Sequence, residues 1–257
     1  MTSIRSSLLS LAAALLMLLS PAPSTAQHGE GESGDQVHGQ KGHGHGAHAH
    51  GGHGHDAGGD LHSPGHRHDF SDVERWSAIF DAPERDAWQK PQHVIELMAL
   101  ESGLTVADLG AGTGYFLPHL AAAVGPDGRV FGLDVEESLV AHMQKRAEEA
   151  GLSQVRAQLV PRDGLGMDPS SLDRLLVVNT WHHLDERPNY ARHIGEILSD
   201  GGSLIIVDFT LESEQGPPKK HRLSPERVVA ELEAGGLSAE ILEEELPRQY
   251  VIVARSR

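Results

Sequence analysis

From about residue 70 onward, short apolar runs alternate with longer amphipathic stretches. Phe70, Val73, Trp76, Ile79 and Phe80 recur at helical spacing, so a helix is expected there. Residues 81–91 read as a turn and a short helix, and 91–100 as an amphipathic helix ending near Gly103. Strands are then expected at 105–109, 129–134, 155–160, 174–179 and 203–207, with helices at 114–124, 136–150 and 189–198 between them. Pro118 falls in the first turns of its helix, where a missing N–H costs least. Gly151 takes the position just beyond the end of the next helix. The fourth strand is almost unbrokenly apolar, which suits burial on both faces. The Ser199-Asp200-Gly201-Gly202 stretch reads as a loop. A last helix opens with Ser224 as cap and Pro225 at its first position, and Gly235-Gly236 ends it. Strands at 239–246 and 249–254 follow, joined by a turn around Pro247. Strand–helix alternation predicts an α/β fold, a Rossmann-like doubly wound sheet of seven strands with helices on both faces. It is mostly parallel, but the final pair is joined too tightly for a parallel crossover and closes the sheet as an antiparallel hairpin.

The first 68 residues have no such pattern. Arg5, the apolar run 8–19 and the small residues Ser24 and Ala26 read as a secretory signal peptide over 1–26, with Gln27 opening the mature chain. The protein is therefore expected to be exported, to a periplasm or the exterior. The apolar run is short of the roughly 20 residues a spanning helix needs, so no stable membrane span is expected after cleavage. Residues 27–68 hold eleven of the eighteen histidines. His43, His45, His48, His50, His53 and His55 form the densest part. Almost nothing there is apolar, and disorder is expected. Neutral imidazoles on a Gly-rich chain can gather on zinc, nickel or copper. The plainer reading is a solvated linker with no metal role. Either way the tract fixes no geometry, so it would be a buffer or a tether and not a catalytic centre. Residues 69–257 remain as the folded domain, with 69–100 as a helical cap and 101–257 as the core.

The chain has no cysteine, which excludes disulfides, thiolate nucleophiles and cysteine zinc sites. A formal net charge of -16 disfavours nucleic acid as a partner. The chemistry concentrates in Asp108-Leu109-Gly110-Ala111-Gly112-Thr113-Gly114, between the first strand and its helix. Alternating glycines let a ligand approach the backbone, and the helix beyond offers unpaired N–H groups. A dinucleotide site wants G-x-G-x-x-G, and this run fails that pattern at its third glycine. Asp134 ends the second strand, where an acid can accept both ribose hydroxyls or merely cap the next helix. Asp163 follows the third strand, where it can take an adenine amino group or simply form a turn. Ligands in open α/β sheets bind in the crevice beyond such strand ends.

Taken together these residues resemble the class I S-adenosylmethionine-dependent methyltransferases, over roughly 91–257. Asp108 to Gly114 looks like the family's first motif, Asp134 its ribose acid and Asp163 its adenine acid. Asn179-Thr180-Trp181-His182-His183 looks like the segment after its fourth strand. The resemblance implies S-adenosylmethionine as cofactor, with Asp108, Gly110, Gly112 and Gly114 along its methionine portion, and a small-molecule or lipid-like methyl acceptor. Asn179 would join that site or only bond at its strand end. His182 and His183 are candidates for a base, and Tyr115, Trp181 and Tyr190 for an aromatic wall. Trp76 is expected in the core. A competing reading keeps the histidine tract as the functional part, in a metal-binding exported protein whose methyltransferase-like domain is inactive. A non-enzymatic ligand-binding module is a third.

Overall fold

The computed structural model describes residues 72–257 apart from Glu245. The expected signal peptide and the histidines from His43 to His55 lie outside the described residues. Among these, seven strands form one sheet: β1 (Thr105–Leu109), β2 (Arg129–Asp134), β3 (Val155–Leu159), β4 (Leu172–Val178), β5 (Leu198–Phe209), β6 (Leu237–Leu242) and β7 (Gln249–Ser256). Their order is β3-β2-β1-β4-β5-β7-β6. The first five run parallel, and β7 lies antiparallel between β5 and β6. The helices are α1 (Val73–Phe80), α2 (Arg85–Gln89), α3 (Pro91–Leu97), α4 (Leu117–Val124), α5 (Glu137–Glu149), α6 (Arg187–Ile197) and α7 (Pro225–Ala234). This is the doubly wound sheet with an antiparallel last pair that the pattern predicts.

Alternation along the central strands gives each face its own core. Leu175, Val177, Leu204 and Ile206 pack with α6 and α7 residues such as Ala191, Ile194, Val228 and Leu232. Leu176, Val178, Ile205 and Val207 pack with Val94, Leu120, Val124 and Met143 on the other side. Burying such side chains is worth roughly 1.5–3 kcal/mol each, so the two clusters hold the strand ends in fixed register. Trp76 is buried and stacks on Phe80, as expected of a core residue.

Most boundaries shift by one to three residues from expectation, and those of α4, β5 and β6 shift for local reasons. α4 starts at Leu117 and not at 114, because Gly110, Gly112 and Gly114 all have positive φ and keep the chain turning. Residues 199–202 belong to β5 and are not a loop between elements. Leu172 pairs with Leu198 and Arg174 with Ser203, so these four residues bulge opposite Asp173. The Asp173 carboxylate accepts from Ser199 Oγ (2.7 Å) and from the Thr105 N–H (2.8 Å), which ties the bulge to β1. β6 starts at Leu237 because Gly236 (φ 97°) turns the chain directly out of α7. It stops at Leu242, and Glu244 beyond it pairs instead with His93 (2.8 Å).

Candidate active site

Asp108 lies near the end of β1 and is 3% exposed. Burial pushes its carboxyl up to about 7, the Asp134 charge adds to this, and the Arg85 guanidinium opposes it. The glycine loop leaves β1 by donating the Gly110 and Ala111 N–H groups to the Leu133 carbonyl (2.8 and 3.1 Å). Asp134 accepts from Gly112 N–H (2.9 Å) on one oxygen and from Glu136 N–H (3.0 Å) on the other. It therefore stitches the glycine loop to the start of α5, which is the capping reading in part. A carboxylate has about four lone-pair sites, and with the Val135 amide also turned toward it, room for a further donor remains. Burial raises its pKa, and these amides pull the other way.

The loop is covered from the N-terminal side. Asp81, just beyond α1, accepts from Thr113 Oγ1 (3.0 Å) and Arg146 (2.9 Å), and Arg146 also donates to the Thr113 carbonyl (2.7 Å). Tyr115 donates to Asp86, and the Arg85 guanidinium lies 3.9 Å from the centre of the Tyr115 ring. Arg85 donates to the Phe80 carbonyl (2.7 Å) and to Gln89 Oε1 (3.3 Å). Its Nε is buried with no hydrogen-bond partner. No pattern in the sequence marks Arg85, because its relation to Asp108 depends on how the cap folds over the loop.

At the end of β4, Asn179 adopts a left-handed conformation (φ 53°) with its N–H on the Val207 carbonyl (2.8 Å). Its Oδ1 accepts from Gln249 Nε2 (2.8 Å). Thr180 Oγ1 reaches the Gly110 carbonyl (3.5 Å), so the segment after β4 touches the glycine loop. A short 3-10 turn, Trp181–His183, follows. The two histidines on it differ sharply. His183 is exposed, whereas the side chain of His182 is 3% exposed and its Nδ1 lies 2.9 and 3.0 Å from the two oxygens of Asp208, itself buried near the end of β5. A carboxylate can only accept, so Nδ1 carries the hydrogen and Nε2 is the basic nitrogen. Asp208 was legible only as an acid interrupting an apolar strand.

Asp163 stands exposed on the loop after β3. Tyr190 anchors this loop by donating to the Arg162 carbonyl. The expected aromatic wall is corrected here. Trp181 and Tyr190 are buried against α6 and α7, and Trp181 donates to Glu231 (3.1 Å). Only Tyr115 remains beside the crevice.

The family model of the methyltransferase domain matches residues 100–245. The chain belongs to this methyltransferase family. It is 26% identical over 141 residues to a demethylmenaquinone methyltransferase of Lactococcus lactis, covering 54% of each chain. It is 27% identical over 124 residues to a ubiquinone/menaquinone biosynthesis C-methyltransferase of Hydrogenovibrio crunogenus, covering 48% of each. The chain thus spans about half the length of these curated relatives. A crystal structure of an S-adenosylmethionine-dependent methyltransferase from Aquifex aeolicus superposes with a TM-score of 0.67 at 25% identity, over 73% of this chain and 98% of that one.

The residues of this methyltransferase-family domain fit S-adenosylmethionine in two respects. Asp108 offers a buried carboxyl to an ammonium, and Arg85 has an orphaned Nε suited to a carboxylate. Gly110 has no room for a side chain, but the group that takes the space is Thr180, 2.4 Å from an added Cβ, so this glycine serves packing within the protein. Among the described residues no group of three or more His, Asp or Glu is arranged to hold a metal. None of their helices is long and apolar enough to cross a membrane.

Proposed function

We propose that this methyltransferase transfers a methyl group from S-adenosylmethionine to a small polar acceptor outside the cytoplasm. The observation that carries the cofactor half is the buried Asp108 carboxyl beside the glycine loop, together with the orphaned Nε of Arg85 in the cap that covers that loop, two charges of the kind an amino-acid group would meet. Asp108 would take the ammonium, Arg85 the carboxylate, Asp134 the ribose hydroxyls and Asp163 the adenine amino group. The bound cofactor supplies a methyl group on a sulfonium. The chain's part is to align an acceptor with it, to exclude water and to receive a proton. His182 would take that proton on Nε2, with Asp208 holding the ring and stabilising the imidazolium.

For the acceptor, a cavity of about 300 Å³ beyond β5 is lined by Thr210, Glu212, Ser213, Glu214, Pro247 and Arg248. Hydroxyl and charged groups dominate it, which favours a polar acceptor over a lipid-like one. The leader-like residues 1–26 support a reaction outside the cytoplasm, and the mature N-terminus read by mass spectrometry tests that reading.

Equilibrium dialysis tests the cofactor half. Wild type is expected to bind S-adenosylmethionine, and Asp134→Ala to bind it about 10- to 100-fold more weakly. A wild type that does not bind removes the proposal. The base role is tested with any acceptor found by screening small phenols and hydroxy acids for S-adenosylhomocysteine release. Asp208→Asn should lower turnover roughly 100-fold or more while S-adenosylmethionine affinity stays constant. Equal turnover would show that His182 is not the base.

A further inference from the structure

Two glutamines that bond to residues of the site are among the most deeply buried polar residues of the described chain. Gln89 at the end of α2 is 0% exposed and Gln249 at the start of β7 is 2% exposed. They are 160 positions apart in sequence, and Gln89 Nε2 donates to Gln249 Oε1 at 2.8 Å. Gln89 Oε1 accepts from Arg85 at 3.3 Å, and Gln249 Nε2 donates to Asn179 Oδ1 at 2.8 Å. The result is a chain of side chains from Arg85, beside Asp108, to Asn179, one residue before the Thr180 side chain that touches Gly110.

The direction of this chain is fixed by chemistry. A guanidinium can only donate, so Gln89 must present its oxygen to Arg85 and its NH2 to Gln249. Gln249 must then present its oxygen to Gln89 and its NH2 to Asn179. Asn179 therefore spends its oxygen on Gln249, and its NH2 is the face not committed to the chain. Without the glutamines, either face of the Asn179 amide could turn toward the crevice. A buried amide pair whose groups are all satisfied is expensive to reorient.

We infer that Gln89 and Gln249 are positioning residues that fix the Asn179 amide with its NH2 toward the bound cofactor, where it donates to a cofactor oxygen. This rests on the cofactor reading above. It makes the cap helix α2 part of the site in a second way, since Arg85 both meets the cofactor and sets the polarity of the chain ending at Asn179.

The test is the affinity for S-adenosylmethionine of Gln249→Glu, Gln249→Leu and Asn179→Asp against wild type, each from pH 5 to pH 9, with Tm recorded throughout. The carboxyl introduced by Gln249→Glu donates and accepts when protonated, as the amide does, and only accepts when ionised. Once ionised it draws the Asn179 NH2 to itself and turns the oxygen to the cofactor. The ratio of Gln249→Glu to wild-type Kd is expected to be near one at low pH and to reach about tenfold at high pH. The charged and titratable groups around the chain include Arg85 with Asp108, Asp86 and Asp81 at one end, and Arg248, Tyr250 and the Asp208–His182 pair beside Gln249 at the other. They are common to both proteins, so their titration largely cancels in the ratio. Gln249→Leu breaks the chain without imposing either orientation, so its ratio should stay flat with pH even though its Tm falls. Asn179→Asp keeps the bond from Gln249 but replaces the donor, and should lose about tenfold or more at pH 8 with little change in Tm; this variant decides the matter should Gln249→Glu fail to fold. A flat ratio for Gln249→Glu, or wild-type affinity in Asn179→Asp, overturns the inference. A wild type that does not bind S-adenosylmethionine overturns the cofactor reading instead, so the two failures are told apart.

Discussion

Asp108→Asn is expected to weaken S-adenosylmethionine binding about 10- to 100-fold and, at the same time, to remove a pH-dependent instability of the unliganded fold. Both effects come from one buried carboxyl with its pKa pushed up to about 7 from an ordinary value of 3.8. Between these values the folded protein holds a proton that the unfolded chain has released. The protonated carboxyl thus contributes stability that is fully present below about pH 4 and is lost as pH rises through about 7. At about 1.4 kcal/mol per pKa unit, the loss is up to about 4 kcal/mol. Denaturant titrations of wild type and variant at pH 5 and pH 8 should therefore differ in slope, with the variant losing less stability across that range. The cofactor works in the opposite sense. Its ammonium favours the ionised carboxyl, so wild-type affinity should fall as pH drops below 7. A variant that binds normally would place the cofactor's ammonium elsewhere, and equal pH dependence of stability in wild type and variant would show that this carboxyl is not held protonated by the fold.

Gly110→Ala should be nearly as damaging through geometry alone. Gly110 has φ 71°, and an added Cβ would lie 2.4 Å from Thr180 Cγ2 and Oγ1. The loop is tied to Leu133 by its own N–H, so the Thr180 segment must give way, and the turn bearing His182 moves with it. Strain and overpacking together are expected to cost roughly 2–4 kcal/mol, a fall in Tm on the order of 10 °C. Gly103→Ala separates the two contributions, because its φ is 90° but nothing lies within 4 Å of the added Cβ. Its smaller loss measures backbone strain alone. Adding Thr180→Gly to Gly110→Ala should restore part of the difference. If Gly103→Ala and Gly110→Ala lose equal stability, the close approach of Thr180 has no energetic weight.

The fold was readable where local rules act alone. The central strands 105–109 and 129–134 stand where apolar runs end in Asp108-Leu109 and Asp134, and Ser224 and Pro225 open α7 as cap and first residue. The glycine run was readable because positive φ three times in five residues leaves a mark on composition. What stayed hidden depends on the topology. Asp208 meets His182 only because β4 and β5 lie side by side, and Gln89 meets Gln249 only because α2 folds over β7. Arg85 comes over the Tyr115 ring for the same reason. Residues 199–202 misled because their turn chemistry is genuine, yet Asp173 supports it as a bulge within a strand. Trp181 and Tyr190 misled because nearness to a motif says nothing about which face of the sheet a ring joins.

The Asp108 carboxyl is expected to receive the cofactor's ammonium in the glycine-loop crevice. Calorimetric titration of the protein with S-adenosylmethionine at pH 7, in two buffers of different ionisation enthalpy, tests it most directly. With its pKa pushed up to about 7 the carboxyl is partly protonated at that pH, so binding should release a fraction of a proton, and the release should vanish in Asp108→Asn. No binding, or binding with the same proton release in both proteins, would contradict the account.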